Sequence, residues 1–153
     1  RVLFRSRVID GTESVRLSKT GRKQKWFSLP DDRDITLYSA THVNHPSAIW
    51  VRQSVHNYWW LRDLWIQLMQ EYTYRYGKNH KCEFLIDSLS FSPNNIPRGQ
   101  FTEPTPAMPD VVKVSGNSIA SYRKYYIQNK PHLASWSGKI NSRPVPEWYT
   151  IGS

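Results

Sequence analysis

The side chains with chemistry to offer are histidines, arginines and lysines set beside aromatic rings. His42 and His45 lie three residues apart in Thr41-His42-Val43-Asn44-His45-Pro46. An unperturbed imidazole titrates near neutrality, so either ring can contact a phosphate or a base, or move a proton. The same pair can instead cap and orient a helix start. Two imidazoles could share a metal, but this segment precedes its helix and no suitable third ligand is nearby, so no metal is expected. Arg52 and Arg62 stand on or beside the next element. Their guanidiniums can grip phosphate with paired hydrogen bonds, or lie on a solvated face or in an internal ion pair.

Tyr72, Tyr74, Arg75, Tyr76 and Lys78 form an aromatic and basic cluster, and Tyr122, Arg123, Lys124, Tyr125 and Lys130 a second. Aromatic faces hold unstacked bases and cations hold their phosphates. Against this, Tyr72 and Tyr76 also fit a core-facing stripe, as do Trp59, Trp60 and Trp65. Arg16, Lys19, Arg22, Lys23 and Lys25, followed by Trp26 and Phe27, read either as a backbone-tracking surface or as a solvated loop. The expected nucleic-acid contacts are therefore His42, His45, Arg52, Arg62, Tyr74, Arg75, Lys78, Arg123 and Lys124. Cys82 stands near His80, but sequence neighbours rarely have nucleophile–base geometry. Asp31, Asp32 and Asp34 lack the Gly and Glu that a calcium loop needs. No phosphate-cradling Gly loop, Gly-x-Ser-x-Gly elbow or dinucleotide fingerprint occurs, and no cofactor is expected.

These residues need elements to hold them. From Pro46 to Tyr76 there is no internal Pro or Gly, and Val51, Val55, Tyr58, Leu61, Trp65, Leu68, Tyr72 and Tyr76 recur at helical spacing. Pro46 suits a first helical position and Gly77 a stop, with a bend near Ser54 to Asn57. Lys78 to Ser90 predicts a short helix using Phe84, Leu85, Ile86 and Leu89. The Pro-rich stretch 91–116 predicts an extended connector along the core surface. Asn117 is the expected N-cap of a last helix over Ser118 to Asn129, with Ile119, Tyr122 and Tyr126 on its apolar face and Pro131 ending it. Residues 7–36 read as loops, with Val8 and Ile9 closing a helix that starts upstream. No strand pattern stands out, so the expected fold is all-α, a compact helical domain around one long central helix.

Composition sets the class. Aromatics make up 14% of the 153 residues, too many for a disordered chain. A formal net charge of +9 favours polyanion partners. A single Cys excludes internal disulfides, and no apolar run reaches the roughly 20 residues of a membrane span. A cytoplasmic setting and no membrane partner are expected. Arg1 to Ser6 resemble translated adaptor read-through, which makes 1–6 an expected sequencing scar and 7–153 a single domain missing its N-terminal helix. Without Arg1 and Arg5 the charge falls from +9 to +7, still basic.

The stretch Thr41 to Arg52, the run Asn57-Tyr58-Trp59-Trp60-Leu61 through Glu71 to Lys78, Ala107-Met108-Pro109-Asp110, Tyr122-Arg123-Lys124-Tyr125-Tyr126 and Pro146-Glu147-Trp148-Tyr149 resemble an uncharacterised protein family of cyanophages, over about residues 37–150. A more distant likeness joins Trp60-Leu61-Arg62, Ile66, Leu68, Glu71 and Arg75 to the central helix of phage pyrimidine-dimer DNA glycosylases (endonuclease V). Thr41-His42-Val43 stands where those enzymes have Gly-His-Val, and Pro146-Glu147-Trp148-Tyr149 where they have Pro-Thr-Trp-Tyr. That resemblance implies a three-helix protein acting on duplex DNA, a terminal amine attacking the sugar after base flipping, and an acid in the first helix. Both catalytic groups would lie upstream of Arg7, so neither transfers to a residue here. The family also lacks the connector at 91–116, and the segment His45 to Ser54 is an insertion relative to it. The expected function is nucleic-acid binding of phage origin with base processing of the glycosylase/AP-lyase type. The alternatives are a non-catalytic DNA- or RNA-binding module and a host-protein-binding domain.

Overall fold

The computed structural model describes residues 6–150, and most of the expected scar, residues 1–5, lies outside them. Ser6 is buried and opens a short helix, α1 (Ser6–Asp10), which carries Val8 and Ile9. The chain continues through β1 (Thr12–Leu17), β2 (Lys23–Ser28), α2 (Arg33–Thr36), α3 (Pro46–Val51), α4 (Val55–Tyr76), α5 (Ser118–Asn129) and α6 (Glu147–Thr150).

The expected all-α class is wrong. β1 and β2 pair antiparallel from Thr12 opposite Ser28 to Leu17 opposite Lys23, in the region read as loops. Every β1 side chain is exposed, and in β2 only Phe27 is buried. A ribbon wet on both faces needs no apolar alternation, which is the signal a strand normally leaves. Its turn does leave a mark. Ser18 N–H donates to the Arg22 carbonyl at 2.8 Å, and within the three residues between them the Gly21 N–H donates to the Ser18 carbonyl at 2.9 Å, with Gly21 at φ +75°, the left-handed residue that closes the loop.

Helix α4 is made by its ends as well as its middle. Ser54 is extended, at φ −154° and ψ 155°, and its Oγ accepts the Asn57 N–H. Gly77 at φ 65° closes the last turn, its N–H donating to the Thr73 carbonyl at 2.8 Å. The expected bend is a complete break between α3 and α4. The buried face of α4 carries Tyr58, Trp65 and Met69, and at the same spacing Arg62, whose Nε donates to the Leu89 carbonyl at 3.0 Å. That Arg62 interrupts the apolar stripe. Leu68, expected inside, is 59% exposed.

Trp50, Val51, Tyr58 and Ile96 form one buried cluster beside the first half of α4. Trp65, Met69, Leu85 and Leu89 form another beside its second half. Leu85 and Leu89 come from two 3-10 turns, Lys81–Leu85 and Asp87–Leu89, where one helix was expected. Tyr58 hydroxyl donates to the Leu89 and Phe91 carbonyls, and burial pushes its phenol up to about 12.

The connector makes no regular ladder, so side chains satisfy it. Val55 N–H donates to the Pro97 carbonyl, Ser54 Oγ to the Gln100 carbonyl, and Trp50 Nε1 to the Thr102 carbonyl at 3.0 Å. Asn117 caps α5 by accepting the Ala120 N–H. Among the described residues no helix is long and apolar enough to cross a membrane.

Candidate nucleic-acid interface

The structure disperses the expected contact residues and gives most of them local partners. His45 caps α3, its Nδ1 accepting the Ser47 N–H at 3.2 Å, so the capping alternative describes its geometry. His42 is exposed at φ 54°, and its carbonyl accepts the His45 N–H. Arg52 donates to the Val43 carbonyl at 3.0 Å, which ties this segment to α3, and burial lowers its pKa. Arg62 lies beneath α4 as described above, with its guanidinium over the Trp59 ring.

At the other end of α4, Glu71 gathers two cations. It meets Arg75 Nε at 2.7 Å and Arg143 Nη2 at 3.0 Å, while the Arg143 guanidinium stacks 3.9 Å from the Tyr74 ring centroid. Tyr74 hydroxyl reaches the Ser142 carbonyl, and Arg75 Nη1 the Ser135 carbonyl. The Tyr74–Arg75 pair therefore clamps segment 135–143 onto the helix. Arg143 and then Arg75 hold the Glu71 carboxyl below its ordinary range. A depressed carboxyl contributes its stability above the ordinary range and loses it as pH falls through the depressed value. Glu71→Gln should free the segment. Limited trypsin digestion should then cut after Lys139 several-fold faster than in the native chain, and an unchanged rate would show that Glu71 does not hold the segment.

Lys78 is exposed just beyond α4. Lys124 donates to the Val111 carbonyl at 2.9 Å, and Arg123 rests over the Trp148 ring at 5.3 Å. Tyr74 and Arg75 sit together, as do Arg123 and Lys124, and His42, His45 and Arg52 gather around the start of α3.

A further run of exposed positive charge lies on the β1–β2 ribbon. Arg16, Lys19, Arg22, Lys23 and Lys25 are all exposed, against the single carboxylate Glu13, a net charge of +4 within residues 12–28. Lys25 meets Glu13 at 2.8 Å across the strands. The Arg16 guanidinium lies 4.5 Å from the Trp26 centroid, so cation and indole form one surface on one face of the ribbon. Sequence inspection had singled out these residues as a basic and aromatic run, but not the ribbon that presents them.

The ribbon is anchored at its base by Arg7. This side chain donates to the Phe27, Leu37 and Tyr38 carbonyls at 3.1, 2.7 and 3.1 Å, and pairs with the Asp34 carboxylate. The Asp34 carboxyl is held below its ordinary range by the Leu29 N–H first and then by Arg7. Among the described residues no group of His, Cys, Asp and Glu is placed to hold a metal ion. No protein-family model matches this chain, and neither a curated protein nor a solved structure matches it.

Proposed function

We propose that this protein binds nucleic acid, duplex DNA first among its forms, through the phosphate backbone, with the β1–β2 ribbon as the leading contact. The observation that carries this reading is the five exposed cations against one carboxylate on a two-stranded ribbon anchored by a buried arginine. A two-stranded ribbon fits a major groove about 12 Å wide. Cations spread along it neutralise phosphates and release counterions, which gives affinity without sequence choice. Base processing of the glycosylase/AP-lyase kind rests on the resemblance alone. Its test is borohydride trapping on duplex DNA with an abasic site, where a covalent adduct marks amine chemistry.

Binding itself is tested by fluorescence anisotropy on a labelled duplex at several salt concentrations. With five phosphates neutralised, log K should fall against log salt with a slope of about −4 to −5. Replacing Lys19, Arg22 and Lys23 together by Gln should flatten that slope by about 3. All three are solvent-exposed, so the fold should be unaffected. A salt-insensitive isotherm, or an unchanged slope in the triple variant, would refute the ribbon as the contact element.

A further inference from the structure

A trough of about 440 Å3 lies between α4 and α5. Its floor is the Trp50 indole, 3% exposed, whose N–H is already bound to Thr102. Trp60 and Leu64 form one wall; Ile119 and Tyr126 form the other. These four wall residues are 39, 47, 60 and 42% exposed, a concentration of large apolar side chains left in water. Trp50 and Trp60 meet edge to face at 5.6 Å, so the trough offers both ring faces and ring edges.

The end of the trough is different. Arg123 and Ile119 also line an adjoining shelf of about 400 Å3, which carries Asn117, Lys124 and Gln128. No carboxylate lines either hollow, and among the described residues none pairs with Arg123. Trp148 lies beneath the Arg123 guanidinium and sets it at the mouth. An apolar aromatic hollow ending at the Arg123 cation, with Lys124 (bound to the Val111 carbonyl) on the polar shelf beside it, is complementary to a molecule with an apolar ring body and an anionic group. Its size falls in the range of about 300–1,000 Å3 typical of small-ligand sites.

We propose that the α4–α5 trough is a binding site for a small amphipathic organic anion, an aromatic ring body carrying a carboxylate or sulfonate. The ring lies against Trp60 and Tyr126 above the Trp50 floor. The anion meets the Arg123 guanidinium, where the trough gives onto the adjoining shelf that carries Asn117 and Gln128. This site is independent of the nucleic-acid reading, which rests on the ribbon.

The probe is anilinonaphthalene sulfonate, compared with its uncharged counterpart phenylnaphthylamine, each titrated into the full chain by fluorescence. The sulfonate should saturate a single site and bind about tenfold more tightly than the neutral analogue, the difference a charge-assisted contact supplies. Arg123→Gln should erase that preference while leaving the neutral probe's affinity in place. Ile119→Glu, at a largely exposed wall position, should weaken both probes about tenfold or more by placing a like charge and a polar group in the trough. Melting temperatures near native in both variants separate loss of the site from loss of the fold. Absence of saturable sulfonate binding, equal affinity for the two probes, or binding indifferent to Ile119→Glu would overturn the proposal. Displacement of the probe by a DNA oligomer whose own binding weakens in Arg123→Gln would also overturn it, because the trough would then belong to a nucleic-acid surface.

Discussion

Arg7→Met should destabilise the protein by about 3–5 kcal/mol, the cost of leaving several backbone carbonyls without their donors. The Arg7 residue is 5% exposed, and its guanidinium spans β2 at Phe27, the carboxylate and carbonyl of Asp34, and the carbonyls of Leu37 and Tyr38. Methionine keeps much of the aliphatic volume and removes all the donors. Carbonyls that faced the guanidinium then lose their partners, and each buried orphan costs about 1–3 kcal/mol. Against a total stability of about 5–15 kcal/mol this is a large share. Lysine keeps the charge but offers a point instead of a planar fork, so Arg7→Lys should recover less than half of the loss. Urea unfolding followed by tryptophan fluorescence measures both variants. The acid limb gives a second reading. Asp34 contributes stability above the ordinary carboxyl range, and that contribution disappears as pH falls through its depressed value. In Arg7→Met the Leu29 N–H, with a smaller contribution from the Arg16 charge, still depresses it, so the Asp34 titration, followed by NMR, should move upward part of the way toward the ordinary value. A native-like unfolding midpoint in Arg7→Met would show that the hub is replaceable.

The position of Arg7 explains what the sequence could and could not disclose. Its partners lie 20 to 31 residues away, and no local spacing connects it to Asp34 or Leu37. Features made by neighbours were legible. His45 and Pro46 at the start of α3, Gly77 at the end of α4, and Asn117 and Pro131 around α5 all act within four residues of the groups they serve. The ribbon was not legible as strands because the only apolar alternation in β1 is the pair Val15 and Leu17, both exposed and opposite lysines, although its charge was plain. The core side of α4 was misread where Arg62 occupies a stripe position, since a half-buried arginine bound to a carbonyl 27 residues away looks like a surface residue in the sequence. The same long-range effect decides the candidate site. Arg62, Arg75 and Lys124 were read as cations available to phosphate, and each donates to a backbone carbonyl of a distant segment. Ile119, Tyr122 and Tyr126 were read as a packing face. They line a trough instead, with Ile119 and Tyr126 left largely in water opposite Trp60 and Leu64.

Asn57 tests the other long-range joint, between the α3–α4 break and the connector. It is fully buried. Its Nδ2 donates to the Trp50 carbonyl at 3.0 Å and to Thr102 Oγ1 at 2.9 Å, and its Oδ1 accepts the Thr102 N–H at 2.9 Å. One amide thus satisfies the end of α3 and the backbone of a strap that has no ladder of its own. Asn57→Asp is nearly isosteric and keeps the acceptor, but turns the donor side into an acceptor facing the Trp50 carbonyl. An ionised carboxylate there is buried without a cation, which should cost about 3–5 kcal/mol at neutral pH. Desolvation must raise the new carboxyl above its unfolded value of about 3.9. The sign follows from linkage. A group raised in the folded state has its full stability below the unfolded pKa and loses it as pH rises toward the folded one. The deficit of Asn57→Asp relative to the native chain should therefore shrink as pH falls toward about 4, where the protonated acid can donate again. Asn57→Leu has no titratable group, so its deficit should stay flat over the same range. Paired urea titrations of the three proteins at neutral and acid pH decide the matter. Parallel deficits for Asp and Leu would mean that the joint depends on the shape of the side chain rather than on its donors. A deficit that narrows for Asp alone would place the stability of the strap in the two hydrogen bonds that Nδ2 donates.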